Sequence, residues 1–300
     1  SVSVTQKDGA VTRVLCQTGY PEEAIKVWDE GVRYLQHAVK YYSDNLYPYP
    51  WEQMSMVRGK AGGMEYPMLI FCRGKTHEGL FNVTDHEVGH NWFPMLVNTD
   101  ERRHAWMDEG FNTFVNHYSL EEFYGEKEHK PDVPAYDASK FSGDLKPINT
   151  PADLMPSRRH LSYRKPGYGL RLLREKILGE DRFDFAFKEY INRWAFKSPR
   201  PSDFYRTIED ASGMDLQWFF RGFFEEPSQL DQAIADVQQR DGKATVTFTN
   251  NKDWVCPVDV TLTCLDGSTH NYQLPVTVWA WSTIHKQTFK VPSKVMRVVI

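Results

Sequence analysis

The stretch HEVGHNWFP, residues 86–94, carries two histidines four positions apart, with a glutamate beside the first. Residues i and i+4 of an α-helix share one face, so His86 and His90 can direct their imidazoles at one metal ion. Glu87 lies one step round the helix, where it can reach a water held by that ion without binding the metal. A lone match of this kind arises by chance in on the order of one chain in a hundred of this length, so a further ligand is needed to support it.

The glutamate of this stretch also has a structural interpretation. Residues 84–87 fit a capping box, in which Glu87 would only close the first turn of a helix. The apolar residues on both sides indicate that the helix begins earlier, near Phe81, and this favours the metal site. Pro94 lies four residues after His90, and its ring would clash with the His90 carbonyl, so we expect the helix to kink or end there.

The third ligand stands in WMDEGFNTF, residues 106–114. Glu109 follows His90 after 18 intervening residues, at the start of the next predicted helix. An antiparallel pair of helices would return its carboxylate to the ion. Catalytic zinc has three protein ligands and one open position, and two histidines with one glutamate form a hydrolytic site of this kind. The sequence therefore predicts one Zn²⁺ per chain, bound by His86, His90 and Glu109.

Composition is that of an ordinary globular protein. Of the 300 residues 41% are apolar and 25% charged, and the formal charge of −4 gives no sign of nucleic acid as a partner. No apolar run approaches the roughly 20 residues of a membrane span. The four cysteines form no CxxC pair and are interpreted as buried free thiols. No initiator methionine or signal peptide opens the sequence, so we expect a portion of a longer protein, and periplasmic, secreted and cytoplasmic locations all stay open.

Hydrophobic patterning predicts a mostly helical region up to about residue 229. It contains a few short strands and several helices, at these positions: a hairpin around a Lys-Asp-Gly turn in residues 1–17, a helix in 21–46, two strands in 52–74, helices from about 80 and over 106–124, a long irregular loop over 125–160, and three or four helices between 167 and 226. From about residue 230, short alternating runs separated by turn residues predict a small β-sandwich. We therefore expect domains at 1–229 and 230–300.

Two further motifs accompany the histidine helix and Glu109, namely GGMEYP at residues 62–67 and YRKPGYGLRLL at 163–173. Together the four motifs resemble, in order and spacing, those of the aminopeptidase N family of gluzincin metallopeptidases, which includes the leukotriene-hydrolase branch. The resemblance covers most of residues 50–225. It implies an α+β multidomain fold: a thermolysin-like, mostly helical zinc peptidase domain with a small sheet, followed by a small β-sandwich. The family's N-terminal β domain has no counterpart here, and we expect it as a partner from the same protein.

The resemblance assigns catalytic roles to two side chains near the predicted metal. Glu87 would accept a proton from the attacking water and deliver it to the leaving amine. Tyr163 matches the family's Tyr-x-Lys position, where the phenol stabilises the tetrahedral oxyanion. This chain has YRKPG in place of the usual Tyr-x-Lys-Gly-Ala, so Tyr168 stays an alternative for that role.

The resemblance also assigns the substrate-binding residues. In the family, the glutamate that matches Glu65 grips the free α-ammonium of a peptide, and the glycine-rich strand before it lies along the substrate. The residues of that strand here are Gly62, Gly63 and Met64. The usual asparagine after the glutamate is replaced by Tyr66, which could alter the pocket for the first substrate side chain.

The function implied by these motifs is zinc-dependent removal of N-terminal residues from peptides that carry a free amine. One alternative is another hydrolytic activity at the same metal, such as endopeptidase action or epoxide opening. Another is a non-catalytic binding scaffold that retains the fold. The first alternative differs from an aminopeptidase in its tolerance of an N-acetylated substrate.

Overall fold

The computed structural model describes residues 2–5, 9–16, 22–125 and 146–300. Two compact units divide the chain, one formed by the described residues up to 125 and by 149–214, the other by 146–148 and 215–300. Helices and small sheets occur together, as the α+β prediction requires. The domain boundary at residue 229 stays a prediction. Residues 126–145, which make up most of the predicted long loop, lie outside the described part of the chain.

The first unit contains a five-stranded sheet with the strand order β1-β2-β3-β5-β4. Its strands are Val2–Thr5 (β1), Val11–Leu15 (β2), Gln53–Arg58 (β3), Gly63–Tyr66 (β4) and Leu69–Cys72 (β5). β1 and β2 pair antiparallel, as the predicted hairpin requires, and residues 6–8 between them lie outside the described residues. β3 is parallel to both β2 and β5, and β4 is antiparallel to β5.

The prediction of two strands within residues 52–74 was wrong, because this segment forms three. β4 and β5 are joined by a two-residue turn, in which Tyr66 pairs with Leu69 and Met68 has φ 60°. A positive φ at this turn position is usually supplied by glycine or asparagine. Since the sequence has methionine there, the turn lacks the glycine or asparagine that would have marked it.

The first unit also contains seven α-helices within its described residues. They are Glu22–Asp29 (α1), Gly31–Asn45 (α2), His77–Gly89 (α3), Glu101–Tyr124 (α4), Lys165–Leu172 (α5), Glu180–Trp194 (α6) and Pro201–Ser212 (α7). π-helical turns at Arg159–Arg164 and Leu173–Leu178 extend α5 at both ends. The helix predicted over residues 21–46 is divided at Glu30, and its predicted first residue lies outside the described part.

A cluster of buried aromatic rings fixes α4 against α6 and α7. The ring of Phe111 on α4 lies 4.9 Å from that of Phe204 on α7 and 5.6 Å from that of Tyr190 on α6. All three side chains are fully buried. Burying each large apolar ring stabilises the fold by about 2–3 kcal/mol, so the part of α4 that carries Glu109 is held on a rigid base.

In its described residues, the second unit contains a short α-helix, a 3₁₀ turn at Val276–Trp279 and two antiparallel sheets. Its elements are Gln217–Phe220 (α8), with a π-helical turn at Arg221–Glu225, and the strands Gln232–Arg240 (β6), Lys243–Asn250 (β7), Val258–Cys264 (β8), Thr269–Leu274 (β9), Ile284–Lys290 (β10) and Val295–Val299 (β11). The strand orders are β10-β7-β6 and β11-β8-β9. Both sheets contribute to one apolar core, which includes Val246 and Phe248 from β7 and Val260 and Leu262 from β8.

The predictions for cysteines and membrane spans can be compared directly with the structure. All four cysteines are free thiols, and Cys72, Cys256 and Cys264 are buried, whereas Cys16 is half-buried, so the prediction of burial was wrong for Cys16. None of the helices in the described part of the chain combines the length and the apolar character that crossing a membrane requires.

Candidate metal centre

α3 begins nine residues before His86, so Glu87 does not cap its first turn. The N-cap is Thr76, whose hydroxyl oxygen accepts a hydrogen bond from the Gly79 amide at 3.0 Å. The capping-box interpretation of residues 84–87 is therefore excluded. Thr84 instead donates its hydroxyl proton to the Leu80 carbonyl at 2.7 Å. Glu87 lies in the last turn of α3 and takes no part in closing its first turn.

α3 ends at Gly89, with His90 as its C-cap, as Pro94 predicts. Proline has no amide proton with which to continue the helix. The His90 carbonyl instead accepts from the Met95 amide at 3.1 Å, and Phe93 adopts extended backbone angles of φ −134° and ψ 108°. His90 Nδ1 lies 2.8 Å from the Phe93 carbonyl, so the break in the helix also holds this imidazole.

Glu109 is positioned by a break near the start of α4. The helix begins at Glu101 with Asp100 as its N-cap, but His104 leaves helical geometry at φ −133° and ψ 49°. The predicted start at residue 106 matches the part of α4 after this break. The predicted end is confirmed, since α4 stops at Tyr124 and Gly125 follows with φ 83°.

The structure brings His86, His90 and Glu109 together. Glu109 Oε2 lies 3.2 Å from His86 Nε2 and 3.4 Å from His90 Nε2, and the two Nε2 atoms are 3.2 Å apart. Two imidazole nitrogens and one carboxylate oxygen at this spacing are a donor set that suits Zn²⁺. Burial alone would raise the pKa of Glu109, but the two imidazoles beside it outweigh burial and hold the pKa well below its usual range.

Each histidine has a buried partner on its other ring nitrogen. His90 Nδ1 lies 2.6 Å from Asp108 Oδ1, and His86 Nδ1 lies 2.9 Å from Asn116 Oδ1. Such contacts fix the orientation of metal-binding histidines. Neither partner was predicted from the sequence. Asp108 directly precedes Glu109 and Asn116 follows it by seven residues, or about two helical turns, so an expectation of polar residues on the ligand face of α4 could have found Asn116.

Glu87 is almost completely buried and faces strand β4. Glu87 is 5% exposed, and its Oε2 atom has no hydrogen-bond partner among the described residues. Burial raises the pKa of Glu87 to about 7. A Cβ atom at Gly63 would lie 2.3 Å from Glu87 Oε1, so the absence of a side chain at Gly63 makes room for this carboxylate.

Glu65 projects from β4 into the same group of polar side chains. Its carboxylate oxygen, one of Glu87 and a ring nitrogen of His90 all lie within 4.8 Å of one another. One carboxylate oxygen from each of Glu65, Glu101 and Asp108 also lies within 4.8 Å of the other two. β4 lies at the edge of the sheet, and its Met64 and Tyr66 are exposed. A Cβ atom added at Gly62 would meet no atom within 4 Å.

Tyr163 approaches the centre from the π-helical turn that precedes α5. Its ring stacks on that of His86 at 5.9 Å, and its hydroxyl donates a hydrogen bond to Glu109 Oε1. Burial, followed by the charge of Glu109, raises the pKa of Tyr163. Tyr168 is buried within α5 at 4% exposure. Of the two candidate tyrosines, Tyr163 is therefore the one whose hydroxyl contacts a candidate metal ligand, Glu109.

Residues 28–223 match the Peptidase family M1 domain. The chain is 24% identical over 292 residues to Aminopeptidase M1-A of Oryza sativa subsp. japonica, an alignment that covers 87% of this chain and 32% of that protein. It is 26% identical over 179 residues to the mitochondrial Aminopeptidase 2 of Saccharomyces cerevisiae, covering 57% of this chain and 18% of that protein. The chain therefore spans about a third or less of the length of these relatives.

A solved structure shares the fold. The crystal structure of Legionella pneumophila aminopeptidase A in complex with aspartic acid matches 98% of this chain and 36% of its own chain, with a TM-score of 0.69 and 16% sequence identity. The α+β class, with a helical region followed by β structure, thus has a counterpart among aminopeptidases.

Proposed function

The chain belongs to peptidase family M1, and on that premise we propose that it is a zinc-dependent aminopeptidase that hydrolyses N-terminal residues from peptides. The observation that carries the proposal is the meeting of two groups of side chains at His90. One group is the candidate ligand set of His86, His90 and Glu109, and the other brings Glu87 and Glu65 within 4.8 Å of the His90 ring nitrogen.

His86, His90 and Glu109 would hold the zinc ion. When bound, zinc supplies Lewis acidity, which polarises a carbonyl and brings the pKa of a water toward neutrality. The protein supplies the donors in a fixed arrangement. Asp108 and the Phe93 carbonyl hold the His90 ring from behind, and Asn116 holds the His86 ring.

Glu87 is proposed as the general base and then the general acid. A catalytic base is most effective when its pKa lies near the working pH. Burial raises the pKa of Glu87 to about 7, and Oε2 is available because no described residue hydrogen-bonds to it. The carboxylate would take a proton from the attacking water and hand it to the departing amine nitrogen.

Tyr163 is proposed to stabilise the oxyanion that forms on the scissile carbonyl. A phenol must keep its proton to donate a hydrogen bond, and burial together with Glu109 raises the pKa of Tyr163. The hydroxyl already donates to Glu109 Oε1, so it lies beside the candidate ligands. Donors fixed at the place where negative charge develops are among the strongest contributions to catalysis.

Glu65 is proposed to bind the free α-ammonium of the substrate. Glu101 and Asp108 lie close enough to add negative charge around that position. A binding site for the α-ammonium group beside the catalytic carboxylate selects chain ends, because internal peptide groups carry no such charge. Gly62, Gly63 and Met64 would lie along the substrate, since an edge strand can pair with an extended peptide.

The test compares a peptide that has a free amine with its N-acetylated form, using purified zinc-loaded protein. We expect hydrolysis of the free peptide alone, its loss on chelation, and its return when zinc is restored. Glu65→Gln should raise KM for the free peptide, whereas Glu78→Gln, at an exposed position of α3, should leave it unchanged. Equal cleavage of both peptides would point to an endopeptidase. Turnover of an epoxide alone would identify the other hydrolytic activity, and zinc binding without any turnover would identify a scaffold.

A further inference from the structure

A buried group of polar side chains lies behind His86, on the side away from the other candidate ligands. Asp85 precedes His86 on α3, Asn112 and Asn116 come from α4, and Tyr42 comes from α2. Asp85, Asn112 and Tyr42 have no exposed surface, and Asn116 is 9% exposed. Burying this many polar groups is costly unless each finds a partner, so their hydrogen bonds identify which atoms carry protons.

Asp85 determines which way the amide of Asn116 points. Asp85 Oδ2 lies 2.7 Å from Asn116 Nδ2, and Oδ1 accepts from the Ser119 hydroxyl at 2.6 Å. Asn116 donates from Nδ2 to Asp85 Oδ2, so the NH₂ group of Asn116 faces the carboxyl group. The oxygen of the amide must then face the other way, toward His86.

Tyr42 supports the same orientation. Its oxygen lies 3.0 Å from Asn116 Nδ2, and its own proton goes to Asn112 Oδ1 at 2.9 Å. With that proton committed, Tyr42 can only accept from Asn116. Both neighbours of Nδ2 are therefore acceptors, and a flipped amide would place its oxygen against two acceptors.

The orientation of Asn116 fixes the tautomer of His86. Asn116 Oδ1 lies 2.9 Å from His86 Nδ1, and an amide oxygen can only accept, so Nδ1 must carry a proton. Asn112 Nδ2 also lies 3.3 Å from Nδ1, but it donates to the His86 carbonyl at 2.6 Å. Nε2 faces the candidate centre, 3.2 Å from Glu109 Oε2, where it would offer its lone pair to zinc.

The two candidate histidine ligands are thus oriented by different means. His90 has a carboxylate, Asp108 Oδ1, directly at Nδ1. His86 has a neutral amide at Nδ1, and the carboxylate of Asp85 acts one step further away. We propose that Asp85 and Asn116 are positioning residues: Asp85 orients the Asn116 amide, which holds His86 as its Nδ1–H tautomer and presents Nε2 to zinc. This inference rests on the zinc site of the proposed function.

The first test measures zinc affinity by competition with a chelator. Loss of a residue that supports a metal-binding histidine weakens binding by about 10- to 100-fold, and we expect this for Asn116→Ala and Asp85→Ala. Asp85→Asn should restore most of the affinity, since its amide oxygen can still accept from Asn116 Nδ2. Ser119→Ala is the matched control, because it removes a hydrogen bond to Asp85 without touching Asn116, and we expect it to stay within a few-fold of wild type.

The second test needs no variant and therefore does not depend on whether a substituted chain folds. In ¹⁵N-labelled, zinc-loaded wild-type protein, NMR assigns the ring proton of His86 to Nδ1 or Nε2. We expect the proton on Nδ1, slowly exchanging with solvent. A proton on Nε2, or equal zinc affinity for wild type, Asn116→Ala and Asp85→Ala, would overturn the inference and leave the proposed function standing. If the wild type bound no zinc, the metal site of the proposed function and this inference would both be overturned.

Discussion

The interiors of the two units differ in what they bury. Beneath the candidate centre, the first unit buries ionisable side chains, among them Asp85, Glu87, His90 and Asp108. In the described residues of the second unit, the buried polar side chains are Ser228 and Asn250, and neither is ionisable. An apolar core is the more favourable interior, because burying a charge costs several kcal/mol before its partners compensate. The difference indicates that the first unit retains buried charge for chemistry and the second unit buries apolar surface for stability.

The largest expected effect comes from removing one of those buried charges, in Glu87→Gln. We expect hydrolysis of an aminoacyl amide to fall on the order of 10⁴-fold, because the substituted amide cannot accept the proton of the attacking water. Zinc content should stay at the wild-type level, since Glu87 is not among the three candidate ligands. Steady-state kinetics and elemental analysis measure the two quantities. A Glu87→Gln protein with wild-type turnover would rule out Glu87 as the base.

The next effect concerns the apolar interior. Phe248 is 1% exposed in the core of the β unit, so Phe248→Ala should lower the free energy of unfolding by about 3–5 kcal/mol. Zinc affinity should not change. Urea unfolding and zinc titration measure the two effects, with Thr247→Ala as the control at the adjacent, half-buried position of β7. If Phe248→Ala weakened the free energy of zinc binding by as much as it lowered the free energy of unfolding, the proposed difference between the two interiors would be contradicted.

Stability of the metal-free protein should depend on pH through Glu87. Burial raises its pKa from 4.5 to about 7, so between these values the folded protein retains a proton that the unfolded chain has released. The free energy of unfolding therefore falls as pH rises through this range, and Glu87 contributes about 3 kcal/mol to the fall. Glu87→Gln should show a flatter profile and greater stability above pH 7. Parallel profiles for the two proteins in urea unfolding would contradict this.

The smallest effect is expected at the start of α3, far from any buried charge. Thr76→Ala removes the side chain that caps the helix and should cost about 1 kcal/mol of stability. Thr76→Ser keeps the hydroxyl and should retain most of the wild-type stability. Thermal unfolding compares the two, and an equal loss in both would show that the cap hydrogen bond is not responsible.

Local spacing was enough to predict the candidate ligands and most of the regular elements. His86, His90 and Glu109 could be found because helical periodicity and an 18-residue gap are written in the sequence, and Pro94 marks the end of α3 through its missing amide proton. The sequence of β6, QAIADVQQR, does not alternate and its side chains are mostly exposed, so this strand carries no clear signal of its own.

The partners of the histidines could not be predicted from the sequence. Asn116 contacts His86 across 30 positions of the chain, and Tyr42 contacts Asn116 across 74. Such contacts exist only once three helices have packed together. The residues with the clearest local signal were the candidate ligands, whereas those that orient them have a role only in three dimensions.

Zinc titration of the metal-free protein against a competing chelator tests the central claim most directly, namely that His86, His90 and Glu109 form one metal site. We predict one zinc ion per chain in the wild type and in Glu87→Gln. Affinity should fall in Glu109→Ala by more than the roughly 100-fold that loss of a supporting residue costs. Zinc bound with equal affinity by the wild type and Glu109→Ala would contradict the claim.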